Sequence, residues 1–72
     1  MDGPEIRFAN YFEIAFTDSH FLLEFGQAYE DGEPVIQARI AAVPKDVVQL
    51  LQILTEVLRR YEERYPGATE RT

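Results

Sequence analysis

Few side chains in this sequence are of a type and spacing that could do chemistry. His20 is the single histidine, and it follows Asp18 and Ser19. A histidine in that setting suits a pH-sensitive contact or a base. No Ser or Cys nucleophile stands beside it in a recognisable pattern, so an exposed turn histidine is the plainer reading. Cysteine is absent, which excludes disulfides, thiolate metal sites and cysteine nucleophiles. One histidine does not make a zinc site. Glu30, Asp31 and Glu33 gather carboxylates around Gly32, but without the spacing of a calcium-binding loop. They read as a solvated loop. The sequence therefore predicts no enzyme, no metal and no cofactor.

Four positions remain as a contact or pocket: Asn10, Gly26, Gln27 and Arg39. Asn10 interrupts a run of apolar residues, where an amide must find a hydrogen-bond partner. That partner is a ligand or a subunit in the functional reading, and nearby backbone in the structural one, which is preferred. Gly26-Gln27 breaks a strand pattern, and glycine there marks a bulge or a close backbone approach. Gln27 is a candidate for bonding across a subunit interface. Glu24 and Arg39 fall near the middle of neighbouring strands and suit a cross-strand ion pair.

The elements that must position these residues follow from periodicity. Ile6, Phe8, Phe12, Ile14 and Phe16 share one parity, broken only by Asn10. This alternation predicts a strand with its even face buried. Asp18-Ser19-His20 makes a turn. A second strand follows over about residues 21–29, with Phe21, Leu23 and Phe25 on one face and Leu22 and Glu24 on the other. Asp31-Gly32 suits a hairpin turn that needs positive φ. A third strand spans about residues 35–43, placing Ile36, Ala38, Ile40 and Ala42 together. Short turns between successive strands predict an antiparallel meander.

Pro44 opens a helix, because its missing N–H costs nothing in a first turn. Asp46 complements the positive end of the helix dipole. Pro66 and Gly67 end the helix after about Arg64. Within it, Val47, Leu51, Leu54, Leu58, Tyr61 and Tyr65 form one continuous stripe. Val48, Leu50, Ile53 and Val57 widen the apolar arc beyond what a three-stranded sheet of the same chain needs. The alternative is a helix cradled in the twisted sheet, with everything buried inside one chain. The predicted fold is α+β, a three-stranded antiparallel meander followed by one long C-terminal helix, and oligomeric. Residues 1–5 are expected as a disordered lead, 6–66 as a single β-β-β-α domain, and 67–72 as a frayed tail.

Composition sharpens the case for association. A 72-residue chain buries only about 60% of the surface its unfolded form exposes, and domains this small add a staple. Without disulfides or metal, another copy of the chain is the expected staple. The predicted interface is Val47, Leu50, Leu51, Leu54, Val57, Leu58 and Tyr61 on the helix, with Tyr11 and Leu22 from the mixed strand face. Thirteen acidic against seven basic residues give a net charge of −6, which argues against nucleic-acid and anionic-membrane partners. No apolar run approaches the ~20 residues of a membrane span. Met1–Glu5 does not have the character of a signal peptide, so the cytoplasm is the expected compartment.

Phe8-Ala9-Asn10, the segment Phe21-Leu22-Leu23-Glu24-Phe25-Gly26-Gln27, then Ala38-Arg39-Ile40 and a Pro44-led helix ending Tyr61-Glu62-Glu63-Arg64-Tyr65 resemble a small prokaryotic family called domain of unknown function 3467. The likeness covers nearly the whole chain. Members typically show an aromatic-Ala-Asn start, a strand ending Asp-Phe-Gly-Gln, an Ala/Ser-Arg strand and a Ser-Pro-led helix with a Lys-Tyr-Glu end. Here Glu24 replaces the aspartate and Val43 the serine, which removes a helix N-cap worth about 1 kcal/mol. The resemblance implies no activity and carries over no functional residue. A fold-level likeness to the export chaperone SecB and its relatives is weaker, since their fourth strand and second helix are missing.

The expected function is a small assembly or adaptor domain that associates with itself and with another protein. An open strand edge would accept a further strand from such a partner. The alternatives are a SecB-like holdase binding apolar peptide segments through its phenylalanines, and a small-molecule sensor with a pocket near Asn10 and Gln27.

Overall fold

The structure, a computed structural model, describes residues 3–70. Three strands, β1 (Tyr11–Phe16), β2 (Phe21–Gln27) and β3 (Val35–Ala42), precede one helix, α1 (Pro44–Arg64). The sheet is an antiparallel meander in the order β1-β2-β3, as the alternation and turns predict. Both turns have clear local causes. The Thr17 hydroxyl accepts from the Ser19 and His20 amides at 3.2 Å each, and the Thr17 amide donates to the His20 carbonyl at 2.9 Å. In the second turn, Gly32 sits at φ 90°, a conformation that costs glycine nothing.

Register sorts the side chains into two unlike faces. Phe12 opposes Phe25, Ile14 opposes Leu23, and Phe16 opposes Phe21. Across the other ladder, Phe21, Leu23 and Phe25 oppose Ala42, Ile40 and Ala38. These nine residues form one wholly apolar face. Phe12 and Phe25 meet edge-on with ring centres 5.9 Å apart, a favoured aromatic geometry. The other face carries Tyr11, Glu13, Ala15, Leu22, Glu24, Arg39 and Ala41.

The ladder between β2 and β3 is irregular at one point. Phe25 opposes Ala38, but Gly26 opposes Ile36, leaving Gln37 as an extra residue on β3. This bulge brings the β3 backbone onto Gly26. A Cβ on Gly26 would lie 2.2 Å from the Val35 carbonyl oxygen and 3.0 Å from Ile36 Cα.

The first strand is shorter than the alternation predicts. It begins at Tyr11, and residues 3–10 run as an arm without regular structure, exposing Ile6 and Phe8. Asn10 explains the break, because its side chain takes up the strand partner that regular backbone pairing would have used. Met1 and Asp2 of the expected lead lie outside the described residues, as do Arg71 and Thr72 of the expected tail. Within the tail, Ala68–Glu70 forms a 3-10 turn in which Ala68 is buried.

α1 starts directly after β3, with Val43 as the single connecting residue. Val43 is extended, at φ −75° and ψ 157°, and donates no side-chain cap. Its carbonyl accepts from the Asp46 and Val47 amides at 3.0 and 3.1 Å. Proline at the next position disfavours the helical region for Val43. The helix ends where Tyr65 leaves helical geometry, followed by Pro66 and by Gly67 at φ 78°.

The sequence expectation fails at the relation of helix to sheet. No strand is packed against α1, whose residues include none that are buried. The even face of the first strand, expected to be core, is open: Phe16 is 76% exposed, Ile14 63% and Phe12 59%; on β2 opposite them Leu23 is buried and Phe21 and Phe25 are half-buried. The reason is the short junction, since strand–helix connections that turn the chain back usually take two to six residues. One residue held extended does not reverse the chain onto its own sheet. The cradled-helix alternative is therefore wrong for this chain, and so is a helix covering its own sheet with one stripe. The radius of gyration, 14.9 Å, exceeds the roughly 11 Å of a compact domain of this length.

Two substitutions test these local causes at fixed protein concentration. Gly26→Ala forces Val35 away from β2 and should lower stability by about 3 kcal/mol, the upper range for overpacking, seen as a lower urea midpoint. An unchanged midpoint would show that the bulge is not close-packed. Val43→Ser restores an N-cap and should raise stability by about 1 kcal/mol, measured the same way.

Candidate functional site

The pocket candidates separate into two places. Asn10, Gly26 and Gln27 come together where the arm meets β2. The Ala28 amide donates to Asn10 Oδ1 at 2.7 Å, and Asn10 Nδ2 donates to the Ala28 carbonyl at 3.4 Å. The Asn10 amide donates to the Gly26 carbonyl at 3.0 Å. One residue further on, Gln27 Nε2 donates to the Phe8 carbonyl at 3.0 Å, and the Tyr29 hydroxyl donates to Gln27 Oε1 at 2.7 Å. The amides of Asn10 and Gln27 thus continue the β1–β2 ladder with side chains after regular pairing has stopped. Asn10 is exposed, not buried as its parity implies. Its polar atoms are committed to backbone, which leaves the group a tether for the arm.

Arg39 lies elsewhere, on the mixed face. Its Nε donates to Glu24 Oε2 at 2.7 Å, across the register pair Glu24–Arg39. The cross-strand ion pair anticipated from the sequence is present. It also offsets the opposition of Glu13 and Glu24, two like charges that would destabilise the ladder. Tyr11 helps in the same way by donating its hydroxyl to Glu13 Oε2 at 3.0 Å. That bond, more than any burial, pushes the Tyr11 phenol above its ordinary value. Tyr11 and Leu22, placed in the interface from the sequence, are half-buried on this face.

His20 contacts hydroxyls of its own turn, Ser19 Oγ at 3.1 Å and Thr17 Oγ1 at 3.4 Å from Nδ1. The ring borders an open hollow of about 400 Å³ shared with Ala41, Ala42 and Val43. Nucleophile activation needs a base oriented by a third group, and the ring's bonds are with hydroxyls. Glu30, Asp31 and Glu33 are exposed. Among the described residues, no group of three His, Asp or Glu is close enough to hold a metal ion. Also among them, no helix is long and apolar enough to cross a membrane.

The helix is two-sided through its middle turns, with Val48 outside the main apolar sector, near Arg59, and Asp46 and Arg64 within its margin at the two ends. At about 100° per residue, Val47, Leu50, Leu51, Leu54, Val57, Leu58 and Tyr61 fall in one sector, which Ile53 widens to roughly 160°. Val47 is half-buried and the others are exposed. Leu51, Leu54, Thr55, Val57, Leu58 and Tyr61 line a shallow trough of about 500 Å³. The opposite side is an ion network. Arg59 Nη2 donates to Glu56 Oε2 at 2.7 Å, and Nη1 pairs with Glu63. The bond to Arg59 holds the Glu56 carboxyl below its usual range, and the same bond raises Arg59. At the helix end, Thr69 donates to Glu62, tying the 3-10 turn back to α1.

The residues missed from the sequence are those of the apolar sheet face, chiefly Phe12, Phe16, Phe21, Phe25, Ile14 and Ile40. Alternation marks this face as buried, but does not say whether it is core or a surface for a partner. The strand ends at Ala42, with one residue between it and Pro44, and that end is seen only in the structure.

A family model described as protein of unknown function (DUF3467) matches residues 2–67. No curated protein and no solved structure matches the chain.

Asn10→Ala removes both bonds to Ala28. The loss should be about 1 kcal/mol, because water replaces the partners at an exposed site, and exchange of the Ala28 amide should accelerate. Protection unchanged at Ala28 would show that the side-chain tether is not populated in solution.

Proposed function

The chain belongs to the DUF3467 family, and on that premise we propose that it is a protein–protein interaction domain whose first partner is another copy of itself. The observation that carries this reading is surface. The chain exposes 6604 Å², whereas a folded monomer of 8.3 kDa exposes about 4,600 Å². The excess is roughly 2,000 Å² per chain, and the large apolar side chains left exposed lie on the sheet face and the helix sector, with Ile6 and Phe8 on the arm. Two such chains together have about 4,000 Å² to bury, within the range of obligate dimer interfaces. Stable soluble monomers rarely expose contiguous apolar patches larger than a few hundred Å².

The chemistry of the remaining surface fits an assembly or adaptor role. Asn10, Gln27, Glu24, Arg39 and the Glu56–Arg59–Glu63 group are paired with each other or with backbone, and neither His20 nor the acidic turn converges with other groups on a reactive centre. β1 and β3 are both sheet edges. β3 is eight residues long with Arg39 as its one charge, the kind of edge to which a further strand adds.

Light scattering coupled to size exclusion tests self-association directly. Wild type should run at twice the 8.3 kDa chain mass or a higher multiple. Leu54→Glu and Leu58→Glu each place an unpaired charge in the contact and should shift the population to smaller species, because a buried lone charge is expensive. A wild type that is a stable monomer at tens of micromolar would overturn the reading. If such a monomer binds a hydrophobic dye and suppresses aggregation of a denatured client, the phenylalanine face is a holdase surface instead.

A further inference from the structure

We infer that in the self-associated form the helix of each chain lies across the apolar sheet face of the other, by reciprocal exchange. This rests on the self-association proposed above and names the surfaces that meet. Each chain presents two apolar surfaces that do not cover each other, a sheet face and a helix sector. The one-residue junction at Val43, held extended by Pro44, separates them. A second copy supplies the missing piece of each.

The dimensions agree. Two inter-strand spacings of about 4.8 Å make the sheet face nearly as wide as the roughly 10 Å diameter of a helix. The 21-residue helix is about 31 Å long, more than the roughly 20–27 Å of these strands. One helix therefore covers one such face. Two-fold symmetry makes the exchange mutual, so each chain gives one helix and receives one, and the contact closes at two copies. The width of the helix sector also gains a cause. Its roughly 160° is more than a sheet occupies, and the remainder meets the partner's helix where the two run side by side. Charge sorts the same way, because the Glu56–Arg59–Glu63 network and the Glu24–Arg39 face both remain in water. Helices paired only with each other would leave Phe12, Phe16, Phe21 and Phe25 uncovered.

Composition supplies a direct test. All five phenylalanines precede Gly26, and the helix holds Leu50, Leu51, Leu54 and Leu58. Wild-type chains labelled at leucine methyls are unfolded and refolded with chains labelled at phenylalanine rings. Isotope-filtered nuclear Overhauser effects then report contacts between chains alone. The expected result is strong interchain contact from Leu51, Leu54 or Leu58 to Phe12, Phe16 or Phe25. Absence of cysteine allows a second measurement. A mixture of Ile14→Cys and Leu54→Cys chains should give a mixed disulfide dimer, several-fold more abundant than either self-pair. A dimer by light scattering with leucine–leucine contacts only, and self-linked Leu54→Cys, overturns the exchange while leaving self-association intact. So does an intrachain disulfide in the Ile14→Cys/Leu54→Cys double variant. A monomer by light scattering removes the premise itself.

Discussion

The junction at Val43 and Pro44 governs the rest of this structure. A strand that passes into a helix through one extended residue has no length in which to turn back. Proline biases Val43 away from the helical conformation, and the first-turn position tolerates its missing N–H. The helix therefore leaves the sheet. Because the two elements do not meet, the chain keeps its hydrophobic surface outside instead of forming the two packed layers typical of a domain. The large accessible area, the extended dimensions and the near absence of buried side chains all follow from that separation.

The sheet is ordered by features that do not depend on the helix. Gly26 lets β3 close onto β2 at the bulge, and Asn10 takes over from backbone pairing at the other edge of β2. Gln27 continues the tether to Phe8. The charged face satisfies itself through Glu24–Arg39 and Tyr11–Glu13. These contacts hold three strands in register, and the register sets Phe12, Ile14 and Phe16 beside Phe21, Leu23 and Phe25. A two-sided sheet with one side wholly apolar is stable only where that side leaves water. The helix carries the same requirement, with an ion network on one side and a leucine-rich sector on the other. Both demands are met in the proposed pairing of two chains.

Much of this was legible in the sequence. Alternation located the strands, Asp31-Gly32 the second turn, and Pro44 and Pro66 the limits of the helix. Glu24 and Arg39 could be paired by counting along neighbouring strands, because register follows from short turns. Gly26 announced its bulge as an isolated glycine in an apolar strand. Asn10 was legible as a polar group needing backbone partners, but not as the residue that ends β1. Its partners, the amide and carbonyl of Ala28, lie 18 residues away, and their position depends on where the ladder stops.

What the sequence alone determined is local: which residues extend, which turn, which coil, and which side of each element is apolar. Those properties depend on periodicities of two and 3.6 residues and on the φ preferences of glycine and proline. Whether two apolar surfaces of one chain meet was decided by tertiary structure. Periodicity is blind to the direction in which a helix departs from a strand, and that direction depends on the dihedral angles of one residue. Val43 at ψ 157° sends the helix away, so surfaces that look like the two halves of a core remain apart within the chain.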